Sequence, residues 1–228
     1  MSKSLQTLRV PYSALVYDKR ACRYRGAAGK FIDPRTVRQT IEKDIEQTKV
    51  RMESHARRAQ SGALSVPEWR DLQAREIKAL HLAHLAVAKG GFHALTPADF
   101  GRVGQIVKGE YQYLSDKADK AAQNPAYLAS ERFVSESESY ADSGIITFEA
   151  TRKAEEEAAG FGYAISILDD GARHCTPKGA TESCPQQTAK GAALSSEIVS
   201  VGKRACFGRC RCTIRRFKTR EAAEAARA

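Results

Sequence analysis

Inward-facing residues in the first half of the chain recur at spacings of three and four, the period that places them on one face of an α-helix. Asp33 and Pro34 precede the first such stretch and predict its start, because Asp caps helices and Pro fits their first turn. Ser61-Gly62 predicts its end. The face comprises Val37, Ile41, Ile45, Thr48, Met52, Ala56 and Ala59.

Three more helical segments follow the same pattern. The second begins near Pro67, is apolar on nearly every side in IKALHLAHLAVA, and ends at the glycine pair 90–91, which predicts burial inside a bundle. The third begins at the capping sequence TPAD and ends before Pro125. A fourth region runs from about Ser130 to Ala159. The predicted core face of the third helix comprises Phe100, Val103, Val107, Leu114, Ala118 and Ala121.

After residue 162 the helical spacing gives way to short β-prone segments. Ala164 to Leu168 predicts a strand that leads into an Asp-Gly turn. Residues 171–205 are loop-like, with one β-prone run from Ile198 to Val201, and CTIRRF at 212–217 predicts a closing strand. At the other end of the chain, glycines between short apolar and basic stretches predict an extended segment with a hairpin.

The predicted fold class is therefore mainly α, with a helical bundle as its body. We expect an extended basic N-terminal arm at 1–33, the helical body at 34–162, and a small Cys-rich module at 163–217. This module is expected to be α+β or a β-ribbon. Residues 218–228 are expected to form a C-terminal tail with helix propensity but little to pack against.

The chain has 228 residues and a net charge of +10, and the charge is concentrated in two segments. Residues 1–30 contain seven Lys or Arg and one Asp, and residues 203–220 contain eight Lys or Arg and no acid. Such segments predict contacts with an anion, which is nucleic acid, an acidic protein subunit or a membrane surface. A solvated surface that only aids solubility is the alternative. The residues expected to make these contacts are Arg20, Arg23, Arg25, Lys203, Arg204, Arg209, Arg211, Arg215, Arg216, Lys218 and Arg220.

The sequence shows no sign of membrane insertion or secretion. Charged residues make up 28% of the chain, and no apolar run approaches the roughly 18 residues that a membrane span needs. The first 20 residues lack an uninterrupted apolar stretch followed by a small-residue cleavage site, so we expect no secretory signal.

Five of the six cysteines lie late in the chain, at Cys175, Cys184, Cys206, Cys210 and Cys212. Structural zinc takes four thiolate or imidazole ligands, often as two close pairs, and these cysteines with His174 as a substitute ligand fit such a site. Disulfides are the alternative, because a loop-rich segment with little core gains most from cross-links. Without a secretory signal, metal binding is the favoured interpretation.

No residue pattern in the chain indicates catalysis. The motifs of serine hydrolases, P-loop proteins, dinucleotide-binding proteins and kinases are absent, and the cysteines lack the His-x-Glu partner of zinc deaminases. Asp169 and Asp170 are expected to form a turn before Cys175, and His81 and His84 to lie in or beside the helical core. We therefore expect no enzymatic activity.

Taken together, these residues resemble the tailed-phage head-morphogenesis or minor head proteins, the Mu F-like group in its broad sense. Members tend to have a helical body followed by a compact Cys-rich end that closes on a Cys-Arg-Cys signature. The third helix, TPADFGRVGQIVKGEYQYLSDKA, and the GKF turn at 29–31 are also similar to phage relatives. The parts that match the Cys-rich end are DDGARHC at 169–175, Cys184, IVSVGKRAC at 198–206 and CRC at 210–212.

The resemblance implies a structural role in a virion. Such proteins are present in few copies, associate with the portal or the inner surface of the major capsid protein, and support head assembly or genome packaging and delivery. This chain would then be part of an oligomeric virion assembly, contact packaged DNA without sequence preference, and occur in the virion and, during assembly, in the host cytoplasm. A zinc-dependent nucleic-acid-binding protein and an enzyme carried on the particle are the alternatives.

Overall fold

The computed structural model describes residues 15–18, 20–170, 175–206 and 210–227, and it confirms a mainly α-helical fold with a small Cys-rich module near the C-terminal end. The helices are α1 Pro34–Gln60, α2 Val66–Lys89, α3 Pro97–Gln123, α4 Pro125–Leu128, α5 Glu131–Glu138, α6 Gly144–Ala158, α7 Cys184–Ala189 and α8 Arg220–Ala225. The strands are β1 Val16–Asp18, β2 Arg23–Arg25, β3 Tyr163–Ile167, β4 Ala193–Leu194 and β5 Thr213–Phe217. No helix in these ranges is long and apolar enough to cross a membrane.

Capping side chains start the three long helices, as the sequence predicts for α1 and α3. At α1 the Asp33 carboxylate accepts a hydrogen bond from a first-turn amide at 2.6 Å. Ser65 and Glu68 cap each other's backbone at the start of α2, and Thr96 and Asp99 do the same at α3. These side chains satisfy amides that have no partner within the helix, so each start is encoded locally.

The fourth helical region is divided where the sequence suggested one continuous stretch. α5 ends at Glu138, a 3-10 turn spans Ser139–Ser143, and α6 begins at Gly144. A Cβ atom added at Gly144 would lie 2.7 Å from Nδ1 of His84 and 2.8 Å from Cδ2 of Leu80. The missing side chain therefore lets the start of α6 approach α2 closely.

The core of the helical body lies between α1, α2, α3, α5 and α6. Trp69 and Phe133 are fully buried, with ring centroids 4.7 Å apart. The predicted core face of α3 is wrong at Phe100, which is 43% exposed. Its neighbour Asp99 is buried instead, because its carboxylate both caps α3 and pairs with Lys89 at 2.8 Å.

His81 and His84 are buried in this core, as predicted, and each bonds to a neighbouring helix. Nδ1 of His81 lies 2.6 Å from the Thr147 hydroxyl, and Nε2 lies 3.1 Å from the Glu110 carboxylate. Nε2 of His84 lies 3.2 Å from the Asp44 carboxylate. The two imidazoles thus connect α2 to α1, α3 and α6 as packed polar groups.

The described part of the N-terminal arm is a hairpin that packs on the helical body. β1 and β2 pair antiparallel, with Tyr17 opposite Tyr24. Both tyrosines are buried, and the Tyr24 hydroxyl donates to the Val87 carbonyl of α2 at 2.9 Å. The hairpin predicted around Gly26 and Gly29 is present only as a turn that closes a bridge between Arg25 and Phe31, whereas β1 and β2 are joined before Arg23. The aromatic pair attaches the β1–β2 hairpin to the bundle.

The C-terminal module is built on a three-stranded antiparallel sheet in the order β4-β3-β5. The predicted closing strand is β5, which pairs Thr213 with Ile167 at one end. The β-prone run at 198–201 forms no strand; it turns back, and Ile198 and Val201 point into the interior. The expectation that the tail has little to pack against is also wrong, because Ala223 of α8 is buried against the sheet.

Lys117 of α3 is enclosed by aromatic rings in the helical body. Its ammonium nitrogen lies 5.3 Å from the Tyr140 ring centroid and 5.8 Å from that of Phe133. Glu136 is the nearest ion-pair partner, at 4.0 Å. Burial lowers the pKa of Lys117 to about 7, since the charged form loses more hydration than these contacts return.

We expect Lys117→Met to stabilise the chain at pH 7 by about 1 kcal/mol or more, because a well-packed apolar side chain replaces a poorly paired buried charge. Between pH 7 and 10 the unfolded wild-type chain holds a proton on Lys117 that the folded chain has lost, so wild-type stability rises with pH. The variant should lack that rise. Denaturant unfolding at pH 7 and pH 9 tests both points. Lys108→Met, at an exposed position of α3, is the control, and equal pH profiles for wild type and Lys117→Met would contradict the prediction.

Candidate metal centre

The five late cysteines converge in the interior of the C-terminal module, although the chain separates them widely. Their sulfur atoms form two groups that share Cys184, and within each group every pair lies within 4.8 Å. One group contains Cys175 and Cys206, and the other contains Cys210 and Cys212. Soft sulfur ligands brought together in this way could hold a metal ion.

Sulfur separations in this cluster are those of ligands and not of disulfides. The Cys184 sulfur lies 3.3 Å from that of Cys206 and 3.5 Å from that of Cys210. A disulfide bond is about 2.05 Å long, whereas thiolates around a tetrahedral zinc with Zn–S bonds of about 2.3 Å lie about 3.8 Å apart. All six cysteines are unbridged. The structure therefore contains no disulfide, and its sulfur separations are closer to those around a shared metal ion than to a covalent bond.

Local structure fixes the central ligand, Cys184, at the start of α7. The Ser183 hydroxyl accepts from the Gln186 amide, and the Gln186 side chain accepts from the Ser183 amide at 2.8 Å. Pro185 follows Cys184 in the first turn, where a backbone N–H has no hydrogen-bond acceptor within the helix, so the missing N–H of proline loses no hydrogen bond. The capping box therefore holds the Cys184 backbone in one conformation, and its side chain is fully buried.

Two longer-range contacts fix the CRC segment. The Arg38 guanidinium of α1 donates to the Cys210 carbonyl, and its other nitrogens bind Glu42 at 2.9 Å and Glu149 at 3.2 Å. The Asp169 backbone amide donates to the Cys212 sulfur. Amide-to-sulfur bonds stabilise thiolates, and residue 169 is placed for this bond by the pairing of β3 with β5.

The thiols influence one another's ionisation. Hydrogen bonds from Cys210 and Cys212, with a smaller contribution from the Arg204 guanidinium, lower the pKa of Cys184. Burial raises the pKa of Cys206 to about 12, and the hydrogen bond with Cys184 raises the pKa of Cys210 to about 12. The ionisation of each thiol therefore depends on the protonation of its neighbours. A bound metal ion must displace the remaining protons.

Arg204 was expected to contact DNA or an acidic subunit, and the structure corrects this. Its side chain is 0% exposed, with Nε donating to the Val199 carbonyl at 2.8 Å and Nη1 to the Ser166 hydroxyl at 3.0 Å. No carboxylate of the described residues forms an ion pair with it. A buried guanidinium without a carboxylate needs another anion, and the Cys184 thiolate beside it is the available one.

Arg216 departs from the same expectation. It is buried, and its Nη1 pairs with the Glu156 carboxylate of α6 at 2.7 Å, so it joins β5 to the helical body. His174 and Arg209 lie outside the described residues. The other basic residues named from the sequence are partly or fully exposed, at Arg20, Arg23, Arg25, Lys203, Arg211, Arg215, Lys218 and Arg220.

The fold brings the two basic segments of the sequence together. Arg23 of the hairpin and Arg215 of β5 line the same recess, which also contains the buried Arg38, Arg152 and Arg216. The sequence did not indicate that these two segments meet, because the hairpin and β5 are almost 200 residues apart. Arg38 and Arg152 were not among the residues identified from the sequence. The sequence offered one weak indication that Arg38 is buried, which is its position next to Val37 of the predicted inward face.

Searches of protein-family models, curated proteins and solved structures each find no match to this chain. The metal-binding interpretation therefore rests on the geometry of the thiols.

We expect Cys184→Ser to abolish stoichiometric binding of Co²⁺, because this sulfur belongs to both groups. The measurement is the thiolate-to-cobalt charge-transfer absorbance of the purified, reduced chain during a Co²⁺ titration. Cys22→Ser, which removes a thiol of the hairpin, is the matched control and should titrate as the wild type does. Equal absorbance for Cys184→Ser and wild type would show that Cys184 is not a ligand, and no absorbance band in either would show that these thiols hold no metal.

Proposed function

We propose that this chain is a structural component of a tailed-phage virion, a minor head protein that attaches to the portal or inner capsid and supports head assembly or genome delivery. The observation that supports it most is the buried thiol cluster of the Cys-Arg-Cys end, whose members Cys184, Cys210 and Cys212 pack in the same core as the helical body. Buried thiols of this kind hold a segment in shape, whereas reactive cysteines are partly exposed. The role is therefore architectural and not enzymatic.

Zinc is the metal that we propose for the cluster. It favours four soft ligands in a tetrahedron and has no redox chemistry, which suits an architectural site. Cys184, Cys210 and Cys212, which form one of the two groups, are three of the proposed ligands. Cys206 of the other group, whose sulfur lies 3.3 Å from that of Cys184, is the proposed fourth. Four thiolates on zinc carry a net charge of −2, and the buried Arg204 cation offsets part of it.

Purified chain should contain about one zinc per molecule, and its intact mass should equal that of the fully reduced sequence. Elemental analysis and mass spectrometry measure the two quantities. Removal of zinc by a chelator should lower the melting temperature, and acid should release the metal because protons compete for thiolates. A metal-free protein whose mass is two hydrogens lower per bridge would instead identify disulfides.

The exposed basic residues suit contacts with packaged DNA. Arg211, Arg215, Lys218 and Arg220 lie on or near β5 and are exposed, and Arg23 of the hairpin lines the same recess as Arg215. Phosphate contacts of this kind are strong, independent of sequence and weakened by salt. An acidic subunit of the portal or capsid would be bound by the same charges.

We expect replacement of Arg211, Arg215, Lys218 and Arg220 by Gln to weaken binding to duplex DNA at least tenfold at moderate salt. The slope of log K against log salt should become shallower by about 0.9 for each DNA phosphate that the variant no longer neutralises. The fold should survive because all four side chains are exposed. A control variant removes four exposed charges elsewhere, with Gln at Arg75, Lys78, Arg102 and Lys108. If both variants bind DNA equally well, the basic surface around β5 is not the contact.

The same surface also favours a second candidate, a zinc-dependent nucleic-acid-binding protein that acts outside the virion. Mass spectrometry of particles assembled from the encoding genome separates the two candidates. A minor head protein must be present in purified particles, and it must be depleted when the residues that contact DNA or subunits are replaced. A chain that binds DNA tightly but is absent from particles is the second candidate.

A further inference from the structure

A recess of about 80 Å³ lies where the N-terminal hairpin, α1, α6 and β5 meet. Arginines dominate its polar lining: Arg38 and Arg152 from the helices, Arg23 from the hairpin, and Arg215 and Arg216 from β5. Only two carboxylates, Glu149 and Glu156, line it with them. The recess is therefore strongly positive, and it is separate from the cysteine cluster.

Ion pairing within the recess leaves positive charge uncompensated. Arg152 and Arg216 are both buried, and both pair with the single carboxylate of Glu156. Arg23 and Arg215, at the exposed edge, form no ion pair with a carboxylate in the described ranges. Around Glu156 there are thus four guanidinium groups and one carboxylate. Glu149 does not change this balance, because it pairs with Arg38.

Arg152 also has an unused donor. Its side chain is only 6% exposed, and Nη1 has no hydrogen-bond partner in the described structure. The Tyr17 ring covers one face of the guanidinium, with 3.8 Å between Cζ and the ring centroid. A ring on the face cannot accept the in-plane N–H bonds, and a buried donor left unpaired costs about 1–3 kcal/mol. Because Arg152 lines the recess, an acceptor bound there would satisfy this donor.

We propose that this recess binds a phosphate group. Guanidinium groups bind phosphate through paired N–H donors, and an oxyanion here would accept from Nη1 of Arg152 and from the arginines at the edge. The volume is enough for one tetrahedral oxyanion. Binding would join the hairpin to α6 and β5. The site does not depend on a role in a virion.

The experiment compares thermal unfolding of the full chain in potassium phosphate and in potassium chloride at equal ionic strength, with calorimetric titration of inorganic phosphate. At phosphate concentrations 100-fold above the dissociation constant, the melting temperature should rise by about 5 °C or more. The Arg23→Gln/Arg215→Gln variant should bind phosphate at least tenfold more weakly and still fold, because both side chains are exposed. Arg75→Gln/Arg102→Gln removes the same charge elsewhere and should bind as wild type does.

Equal melting temperatures in the two salts, or the same weakening in both double variants, would overturn the assignment. A short oligonucleotide with and without a 5′-phosphate distinguishes the source of the group. Competition only by the phosphorylated oligonucleotide indicates a terminal phosphate, and competition by neither indicates free phosphate. An oligonucleotide that competes equally in both forms would assign the recess to the DNA backbone and contradict a site for one isolated group. These assays need no virion, so they can fail while the proposed function stands.

Discussion

Four arginine side chains are buried in the described part of the chain, and satisfying their charge is the constraint on which the arrangement of its parts depends. They are Arg38, Arg152, Arg204 and Arg216. An unpaired buried charge costs several kcal/mol, so each guanidinium must meet its partners in the folded state. Those partners come from distant segments: Arg38 reaches Cys210, and Arg216 reaches Glu156. The module can therefore attach to the helical body in only one way.

Apolar packing alone would hold the module weakly. The small cluster on its sheet, formed by Ile165, Ala192 and Ala223 with partly buried neighbours, contains much less apolar volume than the bundle. Small units with little core commonly need a metal or cross-links to remain folded. The converging thiols are placed where a metal ion would stabilise the module. The Arg204 cation beside them would offset the negative charge of thiolates.

Features encoded by local chemistry could be predicted from the sequence. Asp33, Ser65 and Thr96 are residue types that cap helices, and each caps the helix that follows it. The helical spacing of apolar residues identified most of the core. The convergence of the cysteines followed from their residue type. The roles of Arg204 and Arg216 could not be predicted, because a basic residue in a basic segment is read as exposed unless its partner is known. That partner is set by tertiary contacts such as the pairing of β3 with β5.

The contact between Arg38 and Cys210 joins positions 172 residues apart. Contacts so distant in sequence close large loops and form late in folding, after local helices have assembled. During synthesis α1 leaves the ribosome long before the cysteines that follow residue 200, and N-terminal segments begin to fold first. The helical bundle can thus form before the residues of the C-terminal module have been synthesised. Until they arrive, the Arg38 guanidinium has only Glu42 and Glu149 to bind, and the side of α1 that meets the module is open to solvent.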